Sequence, residues 1–303
     1  MDATFQCRKV NSDIFYPLRE DWLSSCYHLP MPELPEVEVV CQGLEPLLKG
    51  RRIEQVELMH YQLRYPLPVE LVSLLPGLTI QSVKRRAKYL LFCFDSDLIL
   101  IWHLGMTGQF HLLSSRESKA RHEHVRIGLS GGKSLCYRDA RRFGYAGLTT
   151  VEKLQEHPWF SRLGPEPLSD DFTADALYAT SRGRKTPIKI LLMNNEVVVG
   201  VGNIYASESL FRSGIHPARA CGRISLTRMR ELVAAIKAVL AEAIEAGGST
   251  ISDFVKADGK PGYFAHQFRV YGREGEACQR CRGPVRRMVQ SGRSSFYCPV
   301  CQH

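Results

Sequence analysis

The chain has 303 residues, 44% hydrophobic and 23% charged, which is typical of a folded protein with room for more than one domain. Its formal net charge of +9 favours a polyanionic partner such as nucleic acid, although many basic proteins carry only solvated surface charge. No apolar run approaches the roughly 18 residues that a membrane-spanning helix needs, so we expect no membrane partner.

The first 30 residues show neither strand alternation nor helical periodicity, and they end before a second methionine, Met31. They lack the apolar core of a signal peptide, and their acidic residues argue against a transit peptide. Without export, the 10 cysteines are better explained as reduced thiols or metal ligands than as disulfides. We therefore expect residues 1–30 to be an appendage and the protein to be cytoplasmic.

A helix is predicted to begin at Pro35, because proline suits the first helical position and acidic residues follow it. Its apolar positions repeat at helical spacing and should form one buried face: Val37, Val40, Leu44 and Leu47.

From about residue 51 to 150 the pattern changes to short apolar runs such as Tyr89–Phe94 and Leu98–Trp102, separated by turn residues. This pattern predicts a β-sandwich or barrel. A Pro- and Asp-rich joint at Leu163–Phe172 follows, and helical signals then dominate. The clearest is 225–246, where Ser225 can cap the helix and Gly247 can end it.

The C-terminus carries two Cys-x-x-Cys pairs that can close a four-thiolate zinc shell with no open position: Cys278, Cys281, Cys298 and Cys301. We therefore predict one structural Zn²⁺ ion; the alternative is four unligated cysteines. The same tail is rich in arginine, which favours a grip on phosphates. Zinc ribbons also serve protein contacts, so the motif alone leaves both roles open.

Pro32 has two interpretations. Within a longer chain, the segment that follows Met31 is an ordinary acidic helix entry. If translation begins at Met31 and the methionine is removed, Pro32 becomes an N-terminal secondary amine beside the carboxylate of Glu33. An α-amine has a pKa of about 8, so roughly a quarter of it is uncharged near pH 7.5, against about a thousandth of a lysine. Such an amine can attack a sugar C1′ to give an iminium.

These residues resemble the formamidopyrimidine-DNA glycosylase family, and the resemblance runs from Met31 to His303. Besides the four cysteines, the matching motifs are PELPEVE at 32–38, RRAKYLL at 85–91, HLGMTG at 103–108, RRFG at 141–144, VGVGNIYASESLF at 199–211 and DGKPGYFA at 258–265.

The resemblance implies an α+β multidomain fold: an N-terminal β-sandwich with flanking helices, a C-terminal helical helix-two-turns-helix domain and a β-hairpin zinc ribbon. The expected divisions are an N-terminal extension at 1–30 with a wrongly assigned start, a catalytic β-sandwich domain at 31–162, a helix-two-turns-helix domain at 163–272 and a zinc finger at 273–303.

The implied activity is base-excision repair of 8-oxoguanine and formamidopyrimidines in double-stranded DNA, with AP lyase cleavage by β,δ-elimination. Pro32 is then the Schiff-base nucleophile and Glu33 the proton donor. Lys88 is the proton donor for β-elimination or contacts the lesion. Arg293 is the proton donor for δ-elimination or contacts a phosphate. Read alone, the cluster around Lys88 is a solvated charged patch.

The implied DNA contacts include a wedge of Met106, Arg141 and Phe143 that fills the hole left by the extruded nucleotide. The alternative for Met106 and Phe143 is a place in the core. The resemblance also implies DNA contacts by His122, Lys189 and Asn203. Gly200–Asn203 also places backbone N–H groups at a helix start, a ready phosphate site or merely a tight turn.

The segment Asp258–Phe264 matches a loop that closes over 8-oxoguanine, and otherwise reads as a surface turn. Ala140 and Asn194 depart from the family's proline and aspartate. The larger departure is residues 1–30, which leave Pro32 as an amide nitrogen with no lone pair to offer. We therefore expect Met31 to be the true start or, failing that, the extension to be removed after translation.

Three rival functions remain open: a catalytically silent DNA binder, an enzyme for oxidised pyrimidines, and a zinc-ribbon transcription or translation factor. We further expect a monomer in a bacterial cytoplasm, associated with the nucleoid through DNA.

Overall fold

The computed structural model describes residues 32–59, 62–248 and 268–303. The predicted extension at 1–30, and with it Met31, lies outside these residues. So does the predicted lesion-closing loop Asp258–Phe264.

The first part of the chain is mainly β. Its helices are α1 (Leu34–Leu48) and the short α2 (Leu71–Leu74). Its strands are β1 (Ile53–Leu58), β2 (Ile80–Arg86), β3 (Tyr89–Phe94), β4 (Leu98–His103), β5 (Gln109–Ser114), β6 (Glu123–Leu129), β7 (Lys133–Arg138) and β8 (Tyr145–Thr150).

These strands form two antiparallel sheets, ordered β1-β6-β7-β5 and β2-β3-β4-β8. Apolar residues of both sheets and of α1 share one core, so the fold is a sandwich and the barrel alternative is wrong. The second sheet is also covered on its other face, where Leu91, Ile99 and Ile101 pack against Phe160. Burial on both faces explains why β3 and β4 are continuous apolar runs.

Helix α1 begins one residue earlier than predicted. Glu33 is its N-cap, Leu34 its first residue and Pro35 its second. The predicted apolar face is wrong at one position, because Leu47 is 41% exposed whereas Leu48 is fully buried.

The second part of the chain is helical, with α3 (Ala174–Ser181), α4 (Ile188–Leu192), α5 (Asn203–Arg212) and α6 (Leu226–Glu245). The prediction for α6 is confirmed: the Ser225 hydroxyl accepts the N–H of Arg228, and Gly247 follows with a φ of +80°. These helices share a second apolar core. Within the described ranges, no helix is long and apolar enough to cross a membrane.

The chain ends in a hairpin of β9 (Arg286–Gln290) and β10 (Arg293–Tyr297), which packs on α5 through Phe211 and Val270. The α+β class, with a sandwich followed by helices and a β-hairpin, is therefore confirmed. The residue limits set for each domain stay a prediction.

Candidate functional site

The carboxylate of Glu33 lies at the N-terminus of α5. It accepts backbone N–H bonds from Gly202 at 2.9 Å, Ile204 at 2.8 Å and Tyr205 at 3.3 Å, and the residue is only 3% exposed. The N–H of Leu34 also donates to the carbonyl of Gly200. The start of the β-sandwich part is thus bound to the start of a helix in the second part, where the helix dipole favours a negative charge.

This contact bears on the possible phosphate site at Gly200–Asn203. The backbone N–H groups of Gly202, Ile204 and Tyr205 already bind Glu33, so these three are not open to a phosphate in this structure. Gly202 is required here for a steric reason, because a Cβ at this position would lie 2.3 Å from the Glu33 carboxyl carbon. The chain therefore needs glycine here so that Glu33 can approach the helix.

Burial raises the pKa of Glu33 above its usual value, against the opposing effects of Lys88 and of the backbone N–H bonds. Pro32, the preceding residue, is also buried. A carboxyl group with a raised pKa keeps its proton to a higher pH than an exposed glutamate does, and it can deliver that proton to a bound substrate.

Lys88 sits in the tight turn between β2 and β3, where Ala87 has a φ of +53°. Glu166, from the joint between the two parts of the chain, holds this turn. Its carboxylate bonds Arg85 at 2.6 Å, Arg86 at 2.8 Å and the N–H of Ala87 at 2.7 Å. The two arginines beside Lys88 therefore hold the turn in its shape. The Lys88 side chain takes no part in these bonds and remains available to contact a substrate.

The Lys88 side chain is partly exposed at the surface, yet the surrounding protein lowers its pKa below the usual lysine value. The positive charge of Arg293 adds to this lowering, whereas the negative charge of Glu33 opposes it. Three predicted catalytic side chains, from α1, the β2–β3 turn and β10, thus act on one another electrostatically. The fold brings them to one site although they are far apart in sequence.

Lys189, whose DNA contact stays a prediction, is held by bonds within the protein. The residue is 1% exposed, and its Nζ donates to Asn203 Oδ1 at 2.6 Å, Ser294 O at 3.1 Å and Ser295 Oγ at 2.7 Å. An ammonium has three N–H groups, so none is left for a phosphate in this conformation. Burial lowers its pKa to about 7. Lys189 instead connects α4 to Asn203 and to β10.

The three predicted wedge residues lie on two turns that touch. Met106 is partly exposed in the β4–β5 turn; in the β7–β8 turn Phe143 is 39% exposed, with the Arg141 guanidinium 4.8 Å from its ring centre. A Cβ on Gly105 would lie 2.3 Å from Gly144 N, so the backbones are in direct contact. Phe143 is therefore a surface residue and not part of the core.

His122 lies close to these turns. It is exposed, has a φ of +62°, and its carbonyl accepts the N–H of Asp139.

His103, the first residue of the HLGMTG motif, was not among the predicted site residues. Its Nδ1 accepts the N–H of Gly105 at 3.0 Å, which leaves the ring proton on Nε2. Burial, assisted by the charges of Lys88 and Arg64, lowers its pKa to about 3. His103 therefore presents a neutral N–H donor beside Lys88. The HLGMTG motif contains this histidine, but a histidine in a strand is also consistent with an ordinary place in the core.

The four cysteines are brought together as predicted. All their sulfur atoms lie within 4.8 Å of one another, with Cys278 and Cys301 at 3.9 Å and Cys281 and Cys298 at 3.4 Å. Tetrahedral zinc with bonds of about 2.3 Å requires sulfurs about 3.8 Å apart. The donor set therefore fits one zinc ion, and four thiolates leave no position for a reacting ligand.

The arginines around the cysteines divide into two groups. Three bond within the protein: Arg273 and Arg287 to glutamates, and Arg280 to the carbonyls that end α5. Arg282, Arg286 and Arg293 are exposed, and their side chains form no hydrogen bond or ion pair with any described residue. The phosphate-binding capacity of the hairpin thus rests on fewer arginines than the sequence suggests.

Comparisons with known proteins match nearly all of this architecture. Family models match at 31–146 (formamidopyrimidine-DNA glycosylase N-terminal domain), 163–255 (formamidopyrimidine-DNA glycosylase H2TH domain) and 275–303 (zinc finger found in FPG and IleRS).

The formamidopyrimidine-DNA glycosylase of Phenylobacterium zucineum is 49% identical over 90% of this chain and 100% of that protein. That of Alkalilimnicola ehrlichii is 48% identical with the same coverage. A Lactococcus lactis Fpg variant solved with Fapy-dG-containing DNA superposes with a TM-score of 0.84 at 33% identity, covering 89% of this chain and 99% of that one. Lactococcus lactis Fpg with an abasic-site DNA gives a TM-score of 0.83 at 32% identity with the same coverage.

We expect Glu166→Ala to release the β2–β3 turn and to lower the free energy of unfolding by about 2 to 3 kcal/mol, because two arginines and one N–H lose their acceptor. Urea unfolding measures the change. Glu156→Ala, at an exposed glutamate without a partner among the described residues, is the matched control and should change stability little. Equal effects in both variants would contradict the assigned clamp.

We expect Cys298→Ser to remove the bound zinc and to lower the melting temperature, because the hairpin depends on the metal for its fold. Metal analysis by mass spectrometry should find one zinc per wild-type chain. Cys93→Ala, at a thiol in β3 outside the cluster, should keep the zinc. A Cys298→Ser protein that retains full zinc would show that the ligand set is wrong.

Proposed function

The chain belongs to the formamidopyrimidine-DNA glycosylase family, and from this we propose that it excises 8-oxoguanine and formamidopyrimidines from duplex DNA and cleaves the strand at the resulting abasic site. The observation that carries the proposal is the buried Glu33 next to Pro32, in one electrostatic site with Lys88 and Arg293. A carboxyl group, an amine and cations are the groups that this chemistry needs.

The nucleophile in this proposal is the nitrogen of Pro32. It must be a free secondary amine, because an amide nitrogen has no lone pair to donate. We therefore propose that translation begins at Met31 and that the methionine is removed. Two observations support this start: the family model matches from residue 31, and relatives aligned over their full length cover 90% of this chain.

The proposed reaction proceeds in three steps. The Pro32 amine attacks C1′ of the damaged nucleotide, the oxidised base leaves, and Glu33 donates the proton that opens the deoxyribose ring, which leaves an iminium at C1′. The Glu33 carboxylate, which gave up its proton in the first step, then accepts a proton from C2′, and the 3′ phosphate is expelled with Lys88 as the proton donor to the leaving group. A second elimination expels the 5′ phosphate, with Arg293 as its donor or as a phosphate contact.

The damaged nucleotide must leave the base stack to reach Pro32. Met106 and Phe143 stand exposed on adjoining turns, and we assign them to the space that the nucleotide vacates. Arg141 can then hydrogen-bond the estranged base. We assign phosphate contacts to Asn203 and Lys189, and a DNA contact to His122. In the structure without DNA, Lys189 holds Asn203 in place, so it must exchange one of its internal bonds to reach a phosphate.

The purine branch is favoured by Met106 and Phe143 together with the sequence of the loop Asp258–Phe264, which lies outside the described residues. Thymine glycol duplexes test the oxidised-pyrimidine alternative. We further propose a monomer that works on nucleoid DNA in a bacterial cytoplasm, since enclosing one lesion needs one copy of each motif.

The first test uses two forms of the protein, full-length and Met31-started, each mixed with a duplex containing 8-oxoguanine opposite cytosine and with borohydride. Reduction traps only an imine or iminium. We expect a covalent protein–DNA band from the Met31-started form and none from the full-length form, in which Pro32 is acylated. Binding by both forms without any crosslink would reject the nucleophile and favour the silent-binder function.

The second test is Glu33→Gln in the Met31-started form. We expect excision of 8-oxoguanine to fall by about 10² to 10⁴, because the proton donor is lost. In the wild type, excision should fall as pH rises through the raised pKa of Glu33, since only the protonated carboxyl donates. It should also fall at low pH, where the Pro32 amine is charged. Glu156→Gln is the control, and an unchanged rate in Glu33→Gln would remove Glu33 from the mechanism.

A further inference from the structure

A second buried carboxylate, that of Asp139, lies between the two turns that carry the proposed wedge. Asp139 is fully buried and immediately follows β7. Its oxygens accept from Thr107 Oγ1 at 2.5 Å, Gly144 N at 2.7 Å and Arg141 N at 3.2 Å. One carboxylate thus binds the turn of Met106 on one side and the turn of Arg141 and Phe143 on the other.

The hydroxyl of Tyr137 extends this connection. It lies 3.1 Å from the carbonyl of Leu104 and 3.3 Å from Asp139 Oδ2. The contact leaves no spare room, because a Cβ on Gly108 would come within 2.1 Å of that hydroxyl and a Cβ on Gly144 within 1.8 Å.

The backbone of Asp139 is held as firmly as its side chain. Its N–H donates to the carbonyl of His122 at 3.0 Å, and its own carbonyl accepts from His124 Nε2 at 2.7 Å and Arg142 N at 3.3 Å. The residue therefore ties together three turns, of which each carries a residue assigned to DNA.

The unfavourable burial of the Asp139 carboxylate indicates what the network does. Among the described residues no lysine or arginine forms an ion pair with Asp139, so a buried charge is satisfied by neutral donors alone. Burying a charge without a counterion is unfavourable unless its hydrogen bonds are complete. Such networks give a fixed geometry rather than net stability. Here the fixed geometry is the spacing between Met106 and the Arg141–Phe143 pair.

We propose that Asp139 is a positioning residue that couples the two wedge turns and thereby sets how strongly the enzyme discriminates between bases opposite the lesion. The inference rests on the proposed function, because it takes Arg141 as the reader of the estranged base. Asp139 touches neither substrate nor the reacting atoms. It acts through Thr107, Arg141 N and Gly144 N.

The test compares excision of 8-oxoguanine opposite cytosine with excision opposite adenine, in zinc-loaded protein started at Met31. We expect Asp139→Ala to bring the ratio of the two kcat/KM values about tenfold closer to 1, which corresponds to about 1.4 kcal/mol. A general loss of structure lowers both rates together and leaves the ratio unchanged. Thr107→Ala, which removes one arm of the network, should shift the ratio in the same direction, and Thr107→Ser should restore it.

The control is Asp95→Ala. Asp95 also accepts a backbone N–H, that of Thr79 at 2.8 Å, but at the opposite end of β3 from Lys88. It should leave the ratio unchanged. Zinc content and melting temperature show whether Asp139→Ala folds. If it does not fold, the ratio measured for Thr107→Ala tests the inference.

A ratio that stays within about twofold of wild type in a folded Asp139→Ala or in Thr107→Ala overturns the inference, because about 0.4 kcal/mol is less than one hydrogen bond contributes. A wild-type ratio near 1 overturns it as well. Wild-type protein that excises neither substrate rejects the proposed function itself, so the two failures are distinguishable.

Discussion

The bond between the Glu33 carboxylate and the N-terminus of α5 is the constraint on which the rest of the site depends. It joins residues about 170 positions apart in the chain and fixes where α1 begins. Because Glu33 is buried, losing a partner leaves an unsatisfied group at a cost of about 1 to 3 kcal/mol. The peptide before α1 is therefore held rigidly. The position of Pro32 is therefore fixed by its neighbour, as its proposed role of nucleophile requires.

Glu208 in α5 forms a second set of bonds between a buried carboxylate and backbone N–H groups. This buried carboxylate accepts the N–H groups of Arg269, Val270 and Tyr271, at 2.8 to 2.9 Å, and so fixes the segment that leads into the zinc hairpin. Lys189 adds a third connection, from α4 to β10. Both the Glu33 carboxyl and the hairpin that carries Arg293 are thus bound to one helix, and the four-cysteine zinc site holds the far side of that hairpin. These bonds explain how residues from distant segments are brought to one site in a fixed relative position.

Local patterns were sufficient for much of the fold. The bounds of β3 and the cap and end of α6 follow from apolar spacing and turn chemistry, and the cysteine spacing was enough for the zinc site. The features that the sequence could not give are partners that lie far away along the chain. The glycines before α5 fitted either a phosphate site or a tight turn, and the structure shows that Glu33 binds the backbone there. Lys189 was assigned to DNA through the family resemblance, and its burial between two segments was not visible in the sequence. Sequence shows which groups exist, whereas long-range packing decides which of them remain free.

The central claim is that the Pro32 nitrogen forms the covalent intermediate. The most direct measurement is tandem mass spectrometry of the borohydride-reduced DNA adduct after proteolysis of the Met31-started protein. We expect the deoxyribose remnant to be attached to the nitrogen of an N-terminal Pro32. An adduct on the side chain of Lys88, or on any other lysine, would contradict it.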